Sequence, residues 1–293
     1  MKHLFYALAL LLPGRLLAQV GTPSVRRDAL ARDTAAAAEW TLSLEANQRT
    51  FYLGREYGDK AFSLAPSLSY SHPSGLYGTV SGYYFNQSEP PHYAFTDLEL
   101  GYANNFTKAW AYSVSYDRVF FTPPITVSDR LIANALEVYT DYRLGPLRAA
   151  LDYNFFFGKS SAQTLTLGLS GELKRAGWLG FETVRLTPGA EVLWGAPLAL
   201  SRYGGTYSTT TTATATTTVH GRRKTTTATQ TVEAGAQVVR LLGYELSLPL
   251  QAERGALAYT LTGHYIIPRR TADDPATPLR TGAYLSLQVD FSF

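Results

Sequence analysis

The 293-residue sequence contains no cysteine, which excludes a disulfide framework and every cysteine-ligated metal site. Charged residues are sparse at 17%, and acidic and basic side chains nearly balance. That excludes the strongly basic face a nucleic-acid binder needs. Long apolar runs are also missing: past the first twenty positions nothing approaches the roughly 20 continuous apolar residues of a membrane-crossing helix. No His, Asp and Glu recur at metal-ligand spacing, and no glycine-rich phosphate loop is present. No metal or cofactor is therefore expected. Aromatics are plentiful instead, with 20 Tyr and 14 Phe. Few charges and many aromatics suit a surface facing lipid better than one facing water.

Lys2 and His3, the apolar run from Leu4 to Leu12, and Leu16-Leu17-Ala18-Gln19 have the order of a secretory signal peptide. It is assigned to residues 1–19, with the cut near Ala18–Gln19. Residues 20–38 lack a two-residue period and read as a periplasmic N-terminal extension. From residue 39 to 293 the pattern is that of strands. Trp40, Leu42, Leu44 and Ala46 alternate with Thr41, Ser43, Glu45 and Asn47, and alternation puts the two sets on opposite faces. Twelve such segments follow one another. Compact turn signals at His72–Gly75, Gly145-Pro146 and Gln251–Gly255 alternate with long links such as 122–133, 196–228 and 269–281. The ninth segment, from about Leu179 to Gly195, contains Pro188-Gly189 and could split there. Asn104-Asn105 is read as a turn. A Thr-rich stretch inside 196–228 reads as an extracellular loop or a hairpin extension, since Thr is β-branched and favours strands.

Leu285, Leu287, Val289, Phe291 and Phe293 alternate with Ser286, Gln288, Asp290 and Ser292 up to the last residue. This ending resembles the closing strand of a bacterial outer-membrane β-barrel, whose terminal Phe is read by the assembly machinery. The resemblance implies an all-β, closed antiparallel transmembrane barrel of about twelve strands in the outer membrane. It also implies outer-membrane lipid, lipopolysaccharide and the barrel assembly machinery as partners. Twelve strands, about ten residues each, short periplasmic turns and longer outer loops fit that class. A secreted soluble β-sandwich is the alternative, because it alternates too.

In a barrel the apolar set faces lipid, and Trp40, Tyr102, Trp110, Tyr142 and Phe293 form a periplasmic aromatic girdle. The inward set is then acidic: Glu45, Asp97, Glu99, Asp117, Glu137, Asp141, Asp152, Glu172, Glu191, Glu245 and Asp290. Opposing it are Arg143, Arg148, Arg185 and His264. Carboxylates along a lumen favour cations, so a porin-like channel for small solutes is one expectation. A filled lumen with a structural or surface role is the other. Arg222, Arg223, Lys224, Arg269 and Arg270 form an extracellular basic rim suited to lipopolysaccharide phosphates. Arg118 falls on the apolar set, which requires either a position above the bilayer or a bulge.

The function is read as non-enzymatic, with one alternative to weigh. Folding the chain about Gln251–Gly255 brings Glu245 diagonally near His264, and Ser286 on the next strand points to the same side. A lipid-modifying hydrolase using His264, Glu245 and Ser286 is conceivable. Nothing in the spacing requires it, and a His264 hydrogen-bonded within the lumen is the simpler reading.

Overall fold

The computed structural model describes residues 37–52, 55–56, 62–86, 93–122, 132–158, 160–196, 210–219, 222–231, 239–270, 279 and 281–293. The predicted signal peptide, residues 20–36 of the predicted extension and much of the predicted long loops lie outside the described residues. Among those described, the regular structure is entirely strand. The strands are β1 (Glu39–Asn47), β2 (Phe51–Tyr52), β3 (Arg55–Glu56), β4 (Ser63–Ser71), β5 (Leu76–Phe85) and β6 (Tyr93–Thr107). Next come β7 (Trp110–Phe121), β8 (Ile132–Leu144), β9 (Leu147–Gly158), β10 (Ser161–Gly171), β11 (Leu173–Ala176) and β12 (Thr183–Leu186). The last are β13 (Gly189–Gly195), β14 (Thr210–Val219), β15 (Arg222–Thr231), β16 (Arg240–Arg254), β17 (Leu257–Pro268) and β18 (Gly282–Ser292).

Twelve of these strands form a closed antiparallel ring in the order β1-β4-β5-β6-β7-β8-β9-β10-β13-β16-β17-β18, with β18 pairing back onto β1. β11 and β12 form a hairpin that continues β10 and β13 past the ring, and β12 still pairs with β16. The ninth predicted strand is therefore two pieces of one wall element, interrupted between Leu186 and Gly189. Pro188 lies in the interruption, and Pro249 of β16 lies level with it without a ladder partner on that side. Neither proline has an N–H to donate. One bond spans the gap, from Thr187 N–H to Pro249 C=O at 3.0 Å. Leu179 does not start the strand but occupies the hairpin turn, with φ +54°.

Two further boundaries differ from the sequence reading. β6 continues through Asn104 and Asn105 to Thr107, so the turn falls at Lys108-Ala109. There the Thr107 hydroxyl accepts from the N–H groups of Ala109 and Trp110. β16 continues through Gln251 to Arg254, leaving Gly255-Ala256 as the turn. Gly255 takes φ +58° there, a conformation that costs glycine little. The Thr-rich stretch forms the separate antiparallel pair β14–β15, from Thr210 opposite Thr231 to Val219 opposite Arg222.

Closure fixes which face is which. Leu42, Leu68, Leu100, Val138, Leu167, Leu248 and Leu261 all point outward and are exposed. Leu246 is 47% and Leu285 44% exposed, so the centre is not a dry sandwich core built on them. An apolar band circling a closed cylinder is tolerable only against hydrocarbon. Closure also satisfies every ring strand on both sides, as lipid requires. The chain is thus a transmembrane β-barrel.

Arg118 is outward on β7, three residues from its end, with its guanidinium 5.2 Å from the Phe120 ring centre. It lies at the loop end of the wall, where a long cationic side chain reaches the headgroup region. The nearby bulge is in β8, between Ile132 and Asn134. Leu248→Arg, at the middle of β16, should cost about 2–4 kcal/mol of barrel stability. Chemical denaturation in lipid vesicles measures it.

Candidate functional site

Interior residues divide into levels along the barrel axis. The turn end carries an outward aromatic belt: Trp40 packs in a tilted contact with Tyr70 at 4.8 Å, and Phe106 contacts Trp110 and Tyr112 at 5.0 and 4.2 Å. Tyr102 lies 6.4 Å from Tyr112, and Trp110 is directly across from Tyr142. Trp40 and Phe293 exchange backbone hydrogen bonds of 3.0 and 2.9 Å, which completes the belt where β18 meets β1.

Just inside this end, Arg148 Nε donates to Asp141 Oδ2 at 2.8 Å and a second guanidinium nitrogen donates to the Tyr139 hydroxyl. Both members of the ion pair are buried. Arg185 pairs with Glu253 at 2.9 Å in a more open position. Arg143 shares the face of Asp141 but is exposed at the turn end, and Glu172 is half-buried where β10 passes into β11.

The middle level holds most of the acids. Glu99 on β6 is directly opposite Asp117 on β7, and Asp97 and Glu137 are inward on the same run of strands. Tyr77 donates to Glu99 at 3.0 Å. The Tyr77 ring occupies the space above Gly101, where an added Cβ would come within 2.4 Å of it. Glycine is required there by that close approach. Asp152 accepts from Asn154, and Asp290 from Gln288. Glu45 is opposite Gln288, and Glu191 is opposite Glu245. Glu45, Asp97, Glu99, Asp117, Asp152, Glu191 and Asp290 are all partly exposed, whereas Glu137, Asp141 and Glu245 are buried.

At the loop end the interior turns apolar, which the alternation reading did not anticipate. Phe85, Phe95 and Val119 pack together with Tyr83 and Phe121. Ile132, Ala135, Phe156, Leu193 and Leu242 form a second cluster. Phe51, Ile266 and Tyr284 form a third. These inward side chains make an apolar collar above the acids. The signal was present as consecutive apolar residues, Tyr83-Tyr84-Phe85, Val119-Phe120-Phe121 and Phe155-Phe156-Phe157, which put bulk on both faces at once. Arg269 and Arg270 are exposed at this end. Arg222, Arg223 and Lys224 lie in β15, and their side chains are outside what is described.

Beside the third cluster, the structure brings Glu245, His264 and Ser286 together. His264 Nδ1 is 2.7 Å from Glu245 Oε1, and Nε2 is 3.2 Å from Ser286 Oγ. A carboxylate only accepts, so Nδ1 carries a proton. In the tautomer that keeps its proton on Nδ1, Nε2 accepts from the Ser286 hydroxyl. Tyr284 donates to the same Glu245 oxygen at 3.2 Å, and its ring stacks on His264 at 4.4 Å. His264 is across β17–β16 from Ser247, which leaves Glu245 diagonal to it. The three residues thus sit on three adjacent strands with their side chains aligned by register.

No protein-family model matches the chain, and no curated protein matches it. Among solved structures it is similar to a KdgM porin at 10% identity, covering 87% of this chain and 99% of that one with TM-score 0.46. A NanC porin matches at 8% identity over 87% and 99%, with TM-score 0.44. LpxR from Salmonella typhimurium matches at 11% identity over 86% and 99%, with TM-score 0.39. The side chains of this chain, not these likenesses, decide its function.

Removing one partner of the buried pair should be costly: Arg148→Met leaves Asp141 uncompensated and should lose about 3–5 kcal/mol. Adding Asp141→Asn should recover most of it, as denaturation of the single and double variants measures.

Proposed function

We propose that the chain is an outer-membrane barrel that passes small solutes, cations preferred, along a narrow acidic lumen. The observation that carries this reading is the half-buried set Asp97, Glu99 and Asp117 on β6 and β7. The inward faces of these two strands and of neighbouring β5 carry no Lys, Arg or His. Partial exposure means that accessible space reaches these carboxylates, and fixed negative charge beside a narrow path attracts cations and repels anions. The apolar collar of Phe85, Phe95, Phe156 and Leu242 narrows the loop end, where a constriction can control passage by excluding water. Arg269 and Arg270 at the same end suit the phosphates of lipopolysaccharide. β18, whose last residues are Phe291 and Ser292, is the segment offered to the assembly machinery.

Planar-bilayer recording tests the reading. The protein should give discrete steps with a reversal potential favouring cations. Neutralising Asp97, Glu99 and Asp117 together to Asn, Gln and Asn should move that potential toward zero. Phe95→Ser should raise the single-step conductance by opening the collar. A silent bilayer from correctly folded protein would retire conduction in favour of a filled, structural barrel.

A further inference from the structure

We propose that Ser286, His264 and Glu245 form an acyl-transfer site inside the barrel, which hydrolyses short-chain esters entering the lumen. This goes beyond passage and does not depend on ion conduction. Three observations combine. The hydrogen-bond chain from Glu245 through His264 to Ser286 runs in the order and direction that activates a serine hydroxyl. The carboxylate end is anchored by the Tyr284 hydroxyl, and the carboxylate in turn orients the imidazole through Nδ1.

The third observation is an unpaired donor beside the nucleophile. Asn47 on β1 is directly across from Ser286, on the same inward face, which puts their Cβ atoms about 5 Å apart. It is 1% exposed, and neither side-chain atom of its amide has a hydrogen-bond partner among the described residues. Ser63, across from Asn47 on β4, is 0% exposed, and its hydroxyl is likewise unpartnered. Buried polar groups without partners are costly, and the cost is explained if they serve a charge that develops during reaction.

The chemistry follows from these positions. Ser286 Oγ attacks the ester carbonyl carbon while its proton moves to His264 Nε2. The carbonyl oxygen becomes an oxyanion and accepts from the Asn47 Nδ2–H. The bond to the alcohol oxygen breaks, and the alcohol leaves with the proton held on Nε2. Water then attacks the acyl-serine, gives a proton to Nε2, and displaces Ser286, which recovers that proton as the carboxylic acid departs. Ser286, His264 and Asn47 touch reacting atoms. Glu245 and Tyr284 are positioning residues. Phe51 and Ile266, packed with Tyr284 at the loop end, supply an apolar wall for a short acyl chain.

The experiment treats the full chain, folded in detergent micelles, with a fluorophosphonate probe and with p-nitrophenyl butyrate. The expected result is covalent label mapped by mass spectrometry to the peptide containing Ser286, with ester turnover. Ser286→Ala should abolish the label, and His264→Gln should lower kcat by about 100-fold or more. Asn47→Ala should reduce kcat with little change in KM, because its contact exists only in the transition state. Heat-modifiable gel migration establishes that each variant is folded. Folded wild-type protein that takes no label and shows no turnover above empty micelles overturns the proposal. Label that persists in Ser286→Ala overturns it as well.

Discussion

Hydrocarbon offers no hydrogen bonds, so each N–H and C=O in the wall must find a partner within the protein. The β1–β18 pairing is what makes this possible, because it closes the twelve-strand ring so that each of its strands has a neighbour on both sides. Everything else about the molecule is arranged around that condition. The outward faces are free to be apolar, and the inward faces are free to be polar without contact with lipid. One place where the ladder lapses, around Pro188 and Pro249, lies near the turn end. There the wall continues as the β11–β12 hairpin, and the Thr187–Pro249 bond spans the gap.

Within the cylinder the side chains change character with depth. Near the turn end a buried ion pair ties β8 to β9 through Arg148, Asp141 and Tyr139. Carboxylates occupy the middle, and aromatic and aliphatic groups fill the loop end. Charge in the middle and grease at one mouth are opposite demands on solvation. Their separation along the axis leaves most of the carboxylates partly exposed while the apolar side chains at the loop end are buried. The Glu245–His264–Ser286 chain lies at the border between these two environments, where a polar network can meet an apolar group.

Much of the wall was legible in the sequence because its signal is local. The alternation of Leu42 and Leu44 with Ser43 and Glu45 needs no tertiary information, and the C-terminal strand reads the same way. Counting the alternating segments reaches twelve, and the sorting of short turns from long links agrees with that even number. Boundaries were less legible: Asn104 and Asn105 look like a turn but are held in β6 by their pairing with Tyr112 and Ala111. The apolar collar went unread because the inward side was assumed to be uniformly polar, although Phe85 and Phe156 stand within runs apolar on both faces. The Ser286–His264 contact could be suspected but not established, since it depends on register across three strands and a slip of one residue would have faced His264 outward. Asn47 had no signal at all, as an Asn at a strand end is commonplace.

The hydroxyls of Thr41 and Ser292, 3.3 Å apart across the β1–β18 seam, are separated by 251 residues of chain. Contacts between such distant positions form slowly, because a long loop must be closed before they contribute. Until they form, the nascent wall has two bare edges ready to pair with any other extended chain. Keeping those edges from other chains until the seam closes is therefore a requirement built into its topology.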